Sequence, residues 1–136
     1  MTQEKSEAKR MKIPNSIRIG GVEYEVEFVP NLRNATELLY GEINYHESKI
    51  SISTTDGAGH QMQCITLLHE ILHGIQNHSG IELPKDKEEQ IIDMFARGMY
   101  QVLQDNGNRL FDIKDQWRLT EDIKQKLENL KEFSKE

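Results

Sequence analysis

The spacing of apolar residues divides the chain into a first part with a period of two and a second part with a period of 3.6. Residues 16–29, "SIRIGGVEYEVEFV", alternate around Gly20-Gly21, which predicts a β-hairpin. Residues 41–55, "GEINYHESKISISTT", alternate in the same way and predict a second strand pair with its turn near His46–Ser48. The apolar positions of these strands are Ile17, Ile19, Val22, Tyr24, Val26, Phe28, Ile43, Tyr45, Ile50 and Ile52.

Helical spacing begins after this alternating region. A helix is predicted over roughly residues 59–78, starting behind Asp56-Gly57 and ending before Gly80. Its apolar positions, which we expect to be buried, are Met62, Ile65, Leu67, Leu68, Ile71, Leu72 and Ile75. A second helix is predicted over roughly 87–105, and residues 108–117 are expected to be irregular. A charged third helix over roughly 120–133 carries one apolar stripe, formed by Ile123, Leu127 and Leu130.

These elements predict an α+β fold with a small antiparallel sheet, a helix pair and a C-terminal helix. The 136 residues suffice for one domain. We expect a flexible tail over residues 1–11, the folded domain over 12–107, and an extension over 108–136 that contains the amphipathic third helix.

Composition narrows the class of protein. The net charge of −6, with basic residues scattered among acidic ones, gives no basic face for a nucleic acid, so no nucleic-acid partner is predicted. No apolar run suits a signal peptide or a membrane span, which predicts a cytoplasmic protein without a membrane partner. A single cysteine, Cys64, excludes an internal disulfide and fits a reducing compartment. The oligomeric state stays open.

The first predicted helix carries the sequence His69-Glu70-Ile71-Leu72-His73, an HExxH motif. Residues four apart lie on one helix face, so His69 and His73 can reach a single metal ion. Neutral imidazole suits zinc, and a catalytic zinc takes three protein ligands and a water molecule. Glu70 lies about 100° round the helix, where it can accept a proton from the metal-activated water. The motif therefore predicts a Zn²⁺ site with Glu70 as its general base.

The third ligand is expected from the second helix. His78 points about 180° away from His69 on the same helix, and the spacing after His73 does not match the HExxHxxGxxH pattern. Glu89 and Asp93 are one turn apart, so Glu89 can complete the metal site while Asp93 accepts a hydrogen bond from a ligand histidine. Glu88 competes with Glu89, because it lies nearer the centre of the apolar face.

The motif "HEILH", followed by Glu89, Asp93, Phe95 and Ala96, resembles the gluzincin arrangement of zinc peptidases. Together with "LLHEILHGI" and "GMYQVLQDN", it is similar to small ImmA/IrrE-type metallopeptidase-like proteins of phages and prophages. The resemblance covers roughly residues 12–106. It implies a minimal zincin-like domain in which the Glu-bearing helix runs antiparallel to the HExxH helix. It also implies zinc ligation by His69, His73 and Glu89, with Glu70 as the base.

We therefore expect a zinc-dependent endopeptidase that acts on a phage or host protein inside the cell. The alternative is a catalytically weak or inactive zinc-binding module that keeps the zincin fold and acts by binding a host or phage protein. The candidate donors for the tetrahedral intermediate are Tyr45, His46, His60 and Tyr100. The strand at 49–53 is expected to be the edge that binds substrate, so prolines at Ile50 and Ile52 should abolish turnover while zinc stays bound.

Overall fold

The computed structural model describes residues 11–35, 37–55, 59–110 and 113–134, which form a four-stranded mixed sheet and three α-helices. The strands are β1 (Ser16–Ile19), β2 (Val22–Val29), β3 (Gly41–Asn44) and β4 (Lys49–Ser53). The helices are α1 (His60–Ser79), α2 (Glu88–Asn106) and α3 (Ile113–Ser134), with a short 3-10 helix at Gly107–Arg109. The predicted tail, apart from Met11, and the predicted helix start at Asp56-Gly57 lie outside the described residues.

The first hairpin forms as its alternating sequence predicts. β1 pairs antiparallel with β2, and the partners Ile19 and Val22 leave a two-residue turn between them. Gly20 and Gly21 have φ angles of 57° and 83°, the positive values that a type I′ turn requires at both central positions. The second hairpin also forms, with Ile43 opposite Ile50 in the β3–β4 pair.

The sheet is mixed, so the prediction of an antiparallel sheet was wrong. The strand order is β1-β2-β4-β3, and β4 pairs parallel with β2 as well as antiparallel with β3. Ile50 and Ile52 on β4 have no exposed surface, because this strand lies inside the sheet. The loop between β2 and β3 leaves room for β4 beside β2, so that β3 lies on the far side of β4. At the end of this loop, the Ser53 N–H donates a hydrogen bond to the Tyr40 carbonyl (2.8 Å).

The central position of β4 also overturns the prediction that residues 49–53 form the substrate edge. Both sides of β4 are hydrogen-bonded to neighbouring strands, so it has no free side to offer a peptide. Prolines at Ile50 and Ile52 would remove main-chain donors from a buried strand and would disrupt the fold rather than turnover alone. The two strands that end the sheet are β1 and β3, and β3 is the one that contacts α1 more extensively.

Helix α1 packs across one face of the sheet. The core consists of Ile19, Tyr24, Val26, Ile50, Ile52 and Leu67, with Ile13, Ile17, Val22, Ile43 and Ile71 around it. The buried residues of α1 are Cys64, Ile65, Thr66, Leu67, Glu70 and Gly74, whereas Ile75 is 52% exposed. The predicted burial of Ile75 was therefore wrong. A Cβ on Gly74 would lie 3.1 Å from Ile19 and 3.2 Å from Ile43, so α1 lies close to β1 and β3 at this position.

The chain divides into two compact units, residues 1–104 and 105–136, close to the predicted division after residue 107. In the second unit, α3 begins at Ile113, so the prediction of irregular structure up to residue 117 was wrong. Its stripe residues Ile123, Leu127 and Leu130 are each more than half exposed. Among the described residues, no helix is both long and apolar enough to cross a membrane.

Candidate metal centre

Two helices bring three metal-binding side chains together. His69 and His73 stand one turn apart on α1, with their Nε2 atoms 3.1 Å from each other. Glu89, in the first turn of α2, places Oε2 3.1 Å from His69 Nε2 and Oε1 2.9 Å from His73 Nε2. Among the described residues, these three form the group whose ligand atoms could hold one metal ion, with all such atoms within 4.8 Å of one another.

The spacing of these atoms suits a small tetrahedral ion. Zinc lies about 2.0–2.1 Å from its nitrogen and oxygen ligands, so two ligand atoms of one tetrahedron are about 3.3–3.4 Å apart. The three separations, 2.9 to 3.1 Å, are slightly shorter than that value, and the two that involve Glu89 end on different oxygens of its carboxylate. The donor set, two imidazoles and one carboxylate, is a set that zinc accepts and that leaves a fourth position for water. The group therefore fits a metal ion such as zinc.

The structure places Glu89 against the histidines, and Glu88 outside that group. Both residues belong to the first turn of α2, so they point about 100° apart around the helix. Glu89 has a side chain 74% exposed and reaches over the cleft to both imidazoles. Glu88 is half-buried and lies near Tyr45, whose pKa it helps to raise.

Glu70 is the buried acid of the site. It is only 7% exposed, and its carboxylate accepts a hydrogen bond from the N–H of Ile43 on β3. Burial, followed by the negative charges of Glu89 and Glu42, raises the pKa of Glu70 from 4.5 to about 7, although the Ile43 N–H opposes this shift. A carboxyl group that titrates near neutrality can accept and return a proton, which is the property a general base requires.

Gly41 allows α1 to approach β3 closely enough for this hydrogen bond. A Cβ at position 41 would collide with Cγ2 of Thr66 on α1 and would lie 3.4 Å from Cγ of Glu70. It would also lie 3.2 Å from the carbonyl oxygen of Ser51 on the neighbouring strand. The absence of a side chain at Gly41 therefore sets the distance between the HExxH helix and the end strand.

The histidines and Glu70 line an open cleft of about 730 Å³ between β3, α1 and the start of α2. Of the four predicted donor candidates, Tyr45 lines this cleft. Burial raises the pKa of Tyr45 to about 12, with further contributions from Glu70, Tyr24 and Glu88, so its hydroxyl stays protonated. His60 instead donates a hydrogen bond from Nε2 to the Met11 carbonyl (2.6 Å). His46 and Tyr100 are not among the lining residues.

Asp93 lies beside the metal group, as its position one turn after Glu89 suggests. Its Oδ1 is 3.7 Å from Nδ1 of His69, which is longer than a hydrogen bond. Its Oδ2 accepts a hydrogen bond from Nε of Arg97 at 2.9 Å. The hydrogen bond from His69 to Asp93 that would orient the imidazole therefore stays a prediction. The Asp93 carboxylate lies on the Nδ1 side of the ring, opposite the Nε2 atom that faces the metal group.

His78 has a structural role away from the metal group. Its Nε2 is hydrogen-bonded to the hydroxyl of Tyr24 at 2.8 Å, and Tyr24 is 1% exposed. A Cβ at Gly20 would lie 2.5 Å from the His78 ring, so this imidazole packs directly against the first turn. The exclusion of His78 as a ligand agrees with this position.

Sequence reasoning missed three contributors to the site: Gly41, Glu42 and Arg97. The pair of Asp93 and Arg97 could have been found, because acid and base four apart on a helix commonly interact. Gly41 and Glu42 act through the contact between β3 and α1, and nothing in local periodicity gives that contact.

The chain was also compared with known proteins. No protein-family model, curated protein or solved structure matches it.

Proposed function

We propose that this protein is a zinc-dependent endopeptidase of the gluzincin type, similar to ImmA/IrrE-type proteins of phages and prophages. In this proposal His69, His73 and Glu89 hold the zinc ion, and Glu70 is the general base. The observation that carries the proposal is the convergence of three ligand atoms from two helices beside a buried carboxyl group in an open cleft.

His69, His73 and Glu89 would hold the zinc ion, whose Lewis acidity would activate a scissile carbonyl and a water molecule. Glu70 would accept a proton from the attacking water and return it to the leaving amine. Burial raises the pKa of Glu70 to about 7, close to neutral pH, and the hydrogen bond from the Ile43 N–H holds the carboxylate in the cleft. Tyr45 is the proposed donor to the developing negative charge, because it lines the same cleft with a protonated hydroxyl.

The substrate is proposed to be an extended polypeptide that pairs with β3. This strand ends the sheet, and Gly41, Glu42 and Ile43 line the cleft next to Glu70. Main-chain pairing along the outer edge of a sheet gives affinity with little dependence on sequence. The proposed substrate-binding strand is therefore β3 and not β4.

The metal site is tested by elemental analysis of protein purified without a histidine tag. The native chain should hold one zinc per molecule, and His73→Ala and Glu89→Ala should each lose it, since two remaining ligands bind zinc weakly. Glu88→Ala is the matched control, one residue from Glu89, and should retain the metal. A native chain that holds no zinc after incubation with it would refute the site.

Catalysis is tested separately, with Glu70→Gln. Zinc-loaded native protein should cleave peptides in a complex mixture analysed by mass spectrometry. Glu70→Gln should keep its zinc and lose turnover by about 10²–10⁴-fold, the usual contribution of a general base. If Glu70→Gln instead cleaves as fast as the native protein, Glu70 is not the base. A zinc-loaded native protein that cleaves nothing would favour the zinc-binding module.

A further inference from the structure

The walls of the cleft carry many more negative than positive charges. Among the described residues, six carboxylates and one guanidinium line it: Glu37, Glu42, Glu70, Glu88, Glu89, Asp93 and Arg97. The single cation is already engaged, because Arg97 Nε lies 2.9 Å from Asp93 Oδ2. A divalent ion held by the histidines and Glu89 would offset the charges of Glu89 and Glu70, so the excess negative charge belongs to the remaining acids.

Three carboxylates therefore supply the excess negative charge on the cleft walls. Glu37 precedes β3, Glu42 lies on β3, and Glu88 opens α2. In the part of the chain that the structure describes, no lysine or arginine forms an ion pair with any of these three. All three line the same cleft as His69, Glu70 and His73.

The same cleft also has an apolar end. Leu38 and Tyr40 line both the main cleft and an adjoining pocket with Leu39, Ser53 and Thr55. Leu38 is 61% exposed and Tyr40 is 55% exposed, directly before the strand that would pair with substrate. Large apolar side chains beside a peptide-binding strand suit a bulky apolar side chain of the ligand.

We propose that the cleft selects cationic polypeptide segments, with lysine or arginine placed near a bulky apolar residue. Glu37, Glu42 and Glu88 bind the cationic side chains, and Leu38 and Tyr40 bind the apolar one. This inference rests on the proposed function for its reaction, but the preference in binding can be measured without hydrolysis.

The test uses the zinc-loaded Glu70→Gln protein and two fluorescein-labelled peptides. Both peptides contain leucine and tyrosine, and they differ only in carrying lysines or glutamates. By fluorescence anisotropy the lysine peptide should bind at least about tenfold more tightly at low ionic strength, and added NaCl should reduce that ratio, because exposed charges are screened.

Charge reversal in the cleft, with a matched reversal outside it, locates the effect. Glu42→Lys/Glu88→Lys should lower the ratio by at least about fivefold. Glu23→Lys/Glu25→Lys changes the net charge equally at two exposed positions of β2 and should leave the ratio unchanged. Zinc content is measured for each protein, and Glu42→Lys alone replaces the double variant if the substitution at Glu88 disturbs the metal.

Equal binding of the two peptides would overturn the inference, as would a ratio that the cleft reversal leaves intact. A lysine preference without hydrolysis by the native protein would leave the inference standing and refute the peptidase. Hydrolysis of peptides without regard to charge would have the opposite meaning, since the peptidase would stand and the cationic preference would fail.

Discussion

At the scale of single residues, the site depends on a carboxyl group that the fold keeps away from water. Glu70 is 7% exposed and close to Glu89 and Glu42, and it gains one main-chain hydrogen bond in return. Its pKa of about 7 means that the folded state holds this proton more tightly than the unfolded chain does. Burial of Glu70 therefore opposes folding once the pH is high enough to ionise it.

In protein freed of metal by a chelator, Glu70→Gln should change the free energy of unfolding by an amount that depends on pH. Because the folded-state pKa is raised from 4.5 to about 7, the native protein should lose stability as pH rises through this range. Glu70→Gln lacks this loss, so its free energy of unfolding relative to native should increase by up to about 3 kcal/mol between pH 4.5 and 8. Urea denaturation measures it, with Glu23→Gln as the control for loss of one charge. A difference that stays constant with pH would contradict the prediction.

Tyr45 is the second residue whose role can be isolated. In Tyr45→Phe the cleft loses one hydrogen-bond donor, so kcat should fall by about 10²-fold while KM and zinc content stay close to native. Tyr100→Phe removes a hydroxyl from α2 outside the cleft lining and should leave kcat unchanged. Equal kcat in Tyr45→Phe and native protein would exclude Tyr45 as the donor.

At the scale of elements, local sequence patterns were enough to predict the two hairpins, α1 and α2. They were not enough to predict how these elements are arranged in the fold. Alternation in β4 shows that Ile50 and Ile52 share a face, but it does not show which strands lie on either side. The parallel partner β2 is fixed by contacts far apart in the chain, including the hydrogen bond from the Ser51 hydroxyl to Glu27 (2.9 Å). Glu89 could be favoured over Glu88 from its spacing to Asp93, yet only packing of α2 determines which acid meets the histidines.

The close contact between β3 and α1 gives a prediction at this scale. Gly41→Ala should destabilise the protein by about 1–3 kcal/mol, because its Cβ collides with Thr66 Cγ2. Thr66→Ser removes that methyl group, so Gly41→Ala/Thr66→Ser should recover much of the loss. A double-mutant cycle in thermal unfolding measures the coupling between the two positions. Additive effects of the two changes would show that the contact does not limit the approach of α1.

At the scale of the whole molecule, the core and the candidate metal centre belong to the same unit. The residues of the core cluster lie between Ile13 and Ile71, and the last of the three candidate metal ligands is Glu89. The core cluster and the ligands therefore all lie within residues 1–104. The apolar stripe of α3 lies in the other unit. The metal site therefore does not draw any of its described ligands from the C-terminal extension.

We accordingly predict that a chain ending at Gly107 keeps the fold and one zinc per molecule. It retains all of α2 together with the core, so its melting temperature should fall by no more than about 5 °C. Circular dichroism and elemental analysis of the shortened and full chains provide the comparison. Loss of zinc on shortening would mean that α3 supports the position of Glu89.

The placement of β4 between β2 and β3 also has a consequence for how the molecule folds. Each hairpin joins neighbouring segments and can form early, whereas the parallel β2–β4 ladder joins Glu25 to Lys49 across the intervening loop and β3. Docking of two preformed hairpins is therefore the expected rate-limiting event. Ile17, whose strand contacts in the first hairpin form before that docking, should have a higher φ-value than Ile52, which pairs with Phe28 in the β2–β4 ladder. Until that docking occurs, β3 has no fixed position against the rest of the sheet, so the cleft that holds the candidate metal centre is expected to be among the last features to form.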